Sequence, residues 1–282
     1  MSESEDKQHS RTALLVAGHR ARLTTEGSPL CQDPWAAALA GDEGIALSRR
    51  IDVPQPQMKL WIAIRTAFLD RAIEKLMPRA TQVVLLGAGL DTRAARLPRP
   101  GVRYFEVDAP ASQRWKLERV GSLPGYPLEA ATYASCDFEH HDFVERLASV
   151  GFDPDAPAVF VWEGVTYYLT EPAVRATLRR IAEACHPETT VLFDFVRRDI
   201  VNGELRHAND VKVRDIVANL NEPFRFGIND VLPLLYEEGF RRVRVTSFDE
   251  ACLNLTGTYD RSRKFRFQLL AEASVTGPEP YR

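Results

Sequence analysis

From residue 82 onward the chain alternates short runs of β-branched and aromatic residues with stretches of helical length. One strand is predicted to end before Ser135, and the other apolar runs of strand length cover 83–86, 102–107, 158–162, 190–195, 241–247 and 264–273. Helices are predicted around and between them over 111–120, 142–150, 171–184, 197–219 and 229–238. Strands that alternate with helices pair in parallel through right-handed crossovers. The pattern therefore predicts an α/β fold with a doubly wound, mostly parallel, seven-stranded sheet.

The first 80 residues lack this alternation and have helical patterns instead. Helices are predicted over 12–23, 35–40 and 58–77, and Asp33 followed by Pro34 is typical of a helix start. We divide the chain into a helical extension over 1–80 and a core over 81–282 that carries a helical insertion at about 197–226. Both additions are predicted to form a lid over a pocket at the sheet edge.

A glycine turn follows the first strand directly. Gly87 permits a sharp turn from strand to helix, and Gly89, after Ala88, lets a ligand approach the backbone closely. Asp108 ends the second strand, 19 residues after Gly89, where a carboxylate can accept both hydroxyls of a ribose. The alternative is that the glycines only make a tight turn and that Asp108 is an ordinary loop carboxylate.

Thr92 stands where a dinucleotide-binding fingerprint has its third glycine or alanine. A ligand with adenosine but without a pyrophosphate fits this turn better, and S-adenosyl-L-methionine is such a ligand. Asp137 and Phe138 follow the third strand and could receive the adenine, while Glu163 follows the fourth strand. Ligands of open parallel sheets bind at this carboxyl edge, so the sequence predicts an S-adenosylmethionine site there.

The composition argues against some classes of partner and indicates a cellular compartment. The 36 Lys and Arg against 39 Asp and Glu give a net charge of −3, which argues against nucleic acid as a partner. The four cysteines form no CxxC pair, so we expect neither a structural metal nor disulfides, and a cytoplasmic location. The start of the chain is polar and no apolar run reaches about 18 residues, which predicts no export and no membrane span.

Four motifs, in order and spacing, resemble the leucine carboxyl methyltransferase family and its bacterial branch, which includes tetracenomycin-type polyketide O-methyltransferases. They begin at Arg65 (RTAFLD), Leu86 (LGAGLDTR), Phe105 (FEVDAP) and Trp162 (WEGVTYYL). The resemblance implies a class I methyltransferase (Rossmann-like) fold with S-adenosylmethionine across the strand edge. It implies that Arg65 binds the methionine carboxylate, that Gly87 and Gly89 face the methionyl portion and that Asp108 binds the ribose. It also implies that Asp137 and Phe138 contact the adenine and that Glu163 binds the amino end.

The chain departs from the family's eukaryotic phosphatase-modifying members in its first helix. Those members have a cofactor-contacting lysine there, whereas residues 12–22 contain none, so His19, Arg20 or Arg22 would substitute. Arg65 also has an alternative interpretation from the residues alone, as a surface arginine paired with Asp70 or Glu74.

The predicted activity is O-methyl transfer to a carboxylate or hydroxyl of a small metabolite, such as a polyketide or another secondary metabolite. A carboxylate is ionised at neutral pH, and we predict a methyl ester made without a general base. A hydroxyl would need a base, for which the candidates are His19, His140, His141 and His207. Tyr168, rather than Tyr167, is predicted to line the pocket, and the candidates for contact with an acceptor are His19, Arg197 and Arg225.

Two other functions stay open at this point. An NAD-linked oxidoreductase is disfavoured by Thr92, and a non-catalytic cofactor-binding or interaction protein could use the same fold. A homodimer is compatible with each of these alternatives.

Overall fold

Seven strands form one mixed sheet in the order β3-β2-β1-β4-β5-β7-β6. The computed structural model describes residues 10–137, 141–204, 208–220, 222–259 and 265–276. Strands β1 to β5 pair in parallel, whereas β7 runs antiparallel to both of its neighbours, which confirms the predicted mostly parallel sheet. The strands are β1 Gln82–Leu86, β2 Arg103–Asp108, β3 Ala131–Ser135, β4 Ala158–Trp162, β5 Thr190–Val196, β6 Arg242–Ser247 and β7 Gln268–Ser274.

Helices cover both faces of this sheet. Alternate residues of β1 enter two different apolar clusters: Val84 packs toward α6 and α7, and Val83 packs toward α3. Burial on both faces is why β1 and β4 are continuous apolar runs rather than alternating patterns. The helices are α1 Arg11–Thr25, α2 Ala36–Asp52, α3 Met58–Leu76, α4 Arg93–Arg96, α5 Pro110–Gly121, α6 Phe143–Ser149, α7 Glu171–Ala184, α8 Arg198–Asn202, α9 Ala208–Asn219, α10 Leu232–Glu237 and α11 Phe248–Thr256.

The helical extension packs across the edge of the sheet as α1, α2 and α3. Asp33 starts α2 as predicted, because its Oδ1 accepts from the backbone N–H groups of Trp35 (3.1 Å) and Ala36 (3.1 Å). The prediction that this helix ends at residue 40 is wrong. The helix continues to Asp52 through a kink at Gly41, where φ is 59°.

Helices α1 and α2 approach each other at two glycines. A Cβ on Gly18 would lie 2.1 Å from the carbonyl oxygen of Gly44, so the two backbones are in direct contact. Only glycine allows this separation, and the pair sets how closely α1 can pack on α2.

Two predicted helices differ from the structure for local reasons, and one helix was not predicted. The stretch 197–219 contains two helices, because Gly203 ends α8 with a φ of 75°. The helix predicted over 229–238 begins only at Leu232, since Asn229 accepts from the Arg198 N–H and Asp230 accepts from the Leu232 N–H. Helix α11 was not predicted, although its Ser247 cap accepts from the Glu250 N–H at 3.2 Å. No helix within the described ranges is both long and apolar enough to cross a membrane.

Candidate functional site

A cavity of about 130 Å³ opens at the carboxyl edge of β1 and β4, under helices α1 and α3. Its floor comes from the segments that follow these two strands, and its cover comes from the helical extension. Residues of the floor are Ala88, Gly89, Leu90, Asp91, Glu163, Gly164, Tyr167 and Tyr168, and residues of the cover include Ser10, Thr12, Ala13, Leu15, Val16, Arg20, Met58, Trp61, Ile62 and Arg65.

The glycine turn has the geometry that the sequence predicted. Gly87 and Gly89 have φ values of 64° and 46°, in the left-handed region that favours glycine. A Cβ on Gly87 would lie 2.5 Å from Val165 Cγ2. Asp108 lies beside the turn, because its Oδ2 accepts from the Gly89 N–H at 2.6 Å and its Oδ1 from the Ala109 N–H at 2.8 Å. Burial raises the pKa of Asp108, although both backbone hydrogen bonds favour its charged form.

Thr92 ties the glycine turn to the helical extension. Its hydroxyl, fully buried, donates to Asp33 Oδ2 at 2.8 Å, and Arg20 Nε lies 3.2 Å from the same oxygen. Arg20 Nη2 also donates to the Leu90 carbonyl at 2.5 Å. Of the three residues proposed to replace the missing lysine, Arg20 lines the cavity, whereas Arg22 pairs with Asp52 at 2.6 Å.

A buried cluster of opposite charges holds the segment after β4 in place. Arg65 Nε lies 2.8 Å from Glu163 Oε1, and Arg65 Nη1 donates to Asp194 Oδ2 at 2.7 Å. Arg93 Nη1 lies 2.5 Å from the other oxygen of Glu163. Asp194 Oδ1 accepts from the Gly164 N–H at 2.6 Å, so one carboxylate fixes both an arginine and the turn.

The pKa values of the two carboxyl groups in this cluster are shifted in opposite directions. Burial opposes the ionisation of Glu163, but Arg93 and Arg65 outweigh it and hold its pKa below the usual range. Burial dominates at Asp194 and raises its pKa, against the pull of Arg65 and the Gly164 N–H. Both side chains are almost completely inaccessible, so their charges depend on the neighbouring arginines.

Arg65 lines the cavity and is 3% exposed, so its interpretation as a surface arginine is wrong. Asp70, the partner in that interpretation, instead pairs with Arg93 Nε at 2.7 Å and with Arg96. Tyr168 also lines the cavity, as predicted. Tyr167 lines it too, and its hydroxyl accepts from Arg65 Nη1 at 3.2 Å.

The structure does not bring the other predicted contact residues to the cavity. His19 is fully buried between α1 and α2, Arg197 is about half exposed and pairs with Asp199, and Arg225 is exposed at the surface. None of the three is among the described residues that line the cavity, so contact of each with an acceptor stays a prediction. Asp137 lies two residues beyond β3, half-buried and outside the lining, and His141 is exposed. Outside the described residues lie Phe138, His140 and His207.

His19 is expected to make the protein sensitive to acid. Burial, with Arg22 and Lys59 nearby, lowers the pKa of His19 from 6.5 to about 3. The unfolded chain therefore binds an extra proton between these pH values, and stability falls as pH drops below 6.5, by on the order of 1 kcal/mol per pH unit. Urea unfolding of His19→Gln should show a flatter acid limb than the unmodified chain. His141→Gln, at an exposed histidine, is the control, and an equally steep limb in both variants would contradict the assignment.

Four residues at or beside the cavity were not assigned a role from the sequence. Arg93 falls inside a quoted motif, but its partners Glu163 and Asp70 are distant in sequence. Asp194 did carry a signal, as the single charged residue within the apolar strand β5. Thr12 and Glu222 gave none, because the hydrogen bond from the Thr12 hydroxyl to the Glu222 carboxylate joins segments 210 residues apart.

Comparison with known proteins gives concordant matches in sequence and in structure. The family model for leucine carboxyl methyltransferase matches residues 13–182. Two relatives are named "Putative S-adenosyl-L-methionine-dependent methyltransferase": one from Frankia alni is 34% identical over 64% of this chain, and one from Mycolicibacterium smegmatis is 30% identical over 82%. The match spans 62% of the Frankia protein's length and 78% of the Mycolicibacterium protein's length.

The fold also matches a solved structure. The crystal structure of a DUF574 family protein from Streptomyces avermitilis has a TM-score of 0.66 at 13% identity, and the match covers 97% of this chain and 99% of that one. At that identity the likeness concerns the fold alone.

Proposed function

The chain belongs to the leucine carboxyl methyltransferase family and has the class I methyltransferase fold, and on this premise we propose that it is an S-adenosylmethionine-dependent O-methyltransferase. The acceptor that we propose is a carboxylate or hydroxyl of a small apolar metabolite, such as a polyketide or another secondary metabolite. One observation carries the proposal: Gly89 of the glycine turn and the charged pair Arg65–Glu163 line one cavity at the strand edge, and Asp108, just outside the described lining, accepts from the Gly89 N–H.

The residues present fit the chemical groups of this cofactor. Gly89 leaves the space beside Ala13 open, because a Cβ at this position would lie 3.5 Å from the Ala13 Cβ. Asp108 would accept from the ribose hydroxyls, since each of its oxygens uses only one lone pair on the backbone. Glu163 would receive the ammonium group and Arg65 the carboxylate. Arg65 would share its guanidinium with Glu163 and Asp194, which hold it in position.

The protein contributes to the reaction by holding the acceptor in line with the methyl group and by excluding water from the site. The bound cofactor supplies an electrophilic methyl group on a sulfonium, and displacement there needs the acceptor oxygen in line with the methyl carbon and sulfur. Helices α1 and α3 cover the site with apolar residues such as Leu15, Met58 and Ile62, which exclude water from it. The lid over 1–80 and 197–226 stays a proposal, as do the cytoplasmic location and the homodimer.

Calorimetry distinguishes this function from a nicotinamide-dependent one. S-adenosylhomocysteine should bind with one site per chain, and NAD should not bind, because Thr92 fills the position where a pyrophosphate site needs a small residue. Binding of NAD without S-adenosylhomocysteine would contradict the proposal. A gain of one methyl mass in an acceptor, measured by mass spectrometry, would then separate an enzyme from a non-catalytic binding protein.

A further inference from the structure

One part of the cavity has a different character from the charged cofactor end. We name the acceptor arm the part lined by Thr12, Tyr168, Val213, Phe224 and Phe265. Two of its aromatic rings are packed together, with 6.0 Å between the ring centres of Tyr168 and Phe224. Phe265 is held there at a φ of 61°, an unfavourable backbone conformation for a bulky residue. A planar apolar molecule suits such walls.

A carboxylate stands behind the hydroxyl groups of the acceptor arm. The Thr12 hydroxyl donates to Glu222, and the Thr12 N–H donates to the same carboxylate at 3.5 Å. Ser10 Oγ also donates to Glu222 Oε2 at 3.4 Å. Thr12 and Tyr168 line the cavity, while Glu222 lies one hydrogen bond further out, behind Thr12.

The charges around the cavity disfavour an anionic acceptor. Of the cations among the described lining residues, Arg20 is paired with Asp33, and Arg65 is proposed to receive the carboxylate of the cofactor, so neither is left for an anionic acceptor. Glu222 would repel a second carboxylate in the acceptor arm, and juxtaposed like charges are costly where water is excluded. An amine would call for direct contact with a carboxylate, whereas hydroxyl groups separate Glu222 from the cavity.

Building on the proposed function, we infer that the acceptor is a hydroxyl group on an aromatic ring and that Thr12 and Glu222 receive its proton. A phenol has a pKa near 10 and needs a base at neutral pH. The acceptor's O–H bond breaks as its proton passes to the Thr12 oxygen and the Thr12 proton passes to Glu222. The acceptor oxygen forms a bond to the methyl carbon while the carbon–sulfur bond breaks. The electron pair of the broken bond stays on sulfur, which becomes a neutral thioether. This departs from the sequence-based prediction of a methyl ester.

Three probes that share one ring system test the acceptor class. With the protein first saturated with S-adenosylhomocysteine, calorimetry should show 2-naphthol binding at least about tenfold more tightly than 2-naphthoate or 2-naphthylmethylamine. In Glu222→Gln the preference for 2-naphthol over 2-naphthoate should shrink, because the repelling charge is gone. Tighter binding of the naphthoate or the amine, equal binding of all three, or no binding of any would overturn the inference.

The proton route has its own readout. Methylation of 2-naphthol, followed by mass spectrometry, should slow by about a hundredfold in Glu222→Gln and in Thr12→Val, the lower range for loss of a general base. Glu237→Gln, at an exposed carboxylate on α10, is the matched control and should keep the original rate. No methyl gain, or a rate unchanged in Glu222→Gln, would overturn the route. Failure of S-adenosylhomocysteine to bind in the first titration would instead contradict the proposed function itself, and this inference with it.

Discussion

Replacement of Arg65 by methionine is expected to lower the free energy of unfolding by about 3–5 kcal/mol and to abolish binding of S-adenosylhomocysteine. The guanidinium is the shared counter-charge of Glu163 and Asp194, and all three side chains are almost completely buried. Its removal leaves two almost completely buried carboxylates without that counter-charge. Chemical denaturation measures the stability loss, and calorimetry on the folded fraction measures the binding loss.

Two further variants separate charge from shape at this position, and a third serves as the control. Arg65→Lys keeps the charge but loses the planar fork, so it should fold and bind more weakly. Adding Asp194→Asn to Arg65→Met should recover part of the stability without recovering binding. Arg175→Met is the control, because the Arg175 side chain is 29% exposed and Glu238, the buried one of its three carboxylate partners, keeps its pairing with Arg179, so the loss should stay under about 1 kcal/mol. Equal losses of unfolding free energy for Arg65→Met and Arg175→Met would show that the buried cluster contributes no more to stability than the exposed one.

Gly18→Ala is expected to lower the free energy of unfolding by about 3 kcal/mol, although alanine is the better helix former. The new methyl group would lie 2.1 Å from the Gly44 carbonyl oxygen and 3.1 Å from the Ile45 nitrogen, so α1 would have to move away from α2. Because α1 also covers the cavity, affinity for S-adenosylhomocysteine should fall together with stability. Urea denaturation and calorimetry on the same preparation measure both effects.

Gly121→Ala gives the opposite expectation and serves as the control. Gly121 lies in the last turn of α5, and a Cβ there would meet no atom within 4 Å. The substitution should therefore be neutral or raise stability by up to about 1 kcal/mol, through helix propensity alone. If Gly18→Ala behaved in the same way, the close contact between α1 and α2 would not limit the packing.

The sequence was sufficient to predict the sheet and the glycine turn at its carboxyl edge, while the cofactor contacts of that turn stay predictions. Strand patterns, the glycine turn and Asp108 are encoded within short stretches, and the parallel alternation dictates that their ends meet at one edge. Tyr168 could be predicted for the same reason, since it follows β4 closely. These features depend on neighbours in sequence or on the topology alone.

The remainder of the site depends on contacts that no local pattern encodes. His19 was placed correctly on a helix, but which side of α1 faces α2 is decided by the contact between Gly18 and Gly44. Glu222 meets Thr12 only after the chain has passed through strands β1 to β5. Arg65 could be assigned to the site through the resemblance, yet its pairing with Asp194 required the packing of α3 against β5.

The hydrogen bond from Thr92 to Asp33 has a consequence for how the chain melts. It joins the loop before α2 to the turn that forms the cofactor site, and Arg20 on α1 contacts the same carboxylate. The extension and the sheet therefore share buried hydrogen-bond partners. Loss of one partner would leave the other buried without a hydrogen bond. The two should unfold in a single cooperative transition, and a shortened chain that starts after residue 35 should not retain a native sheet edge.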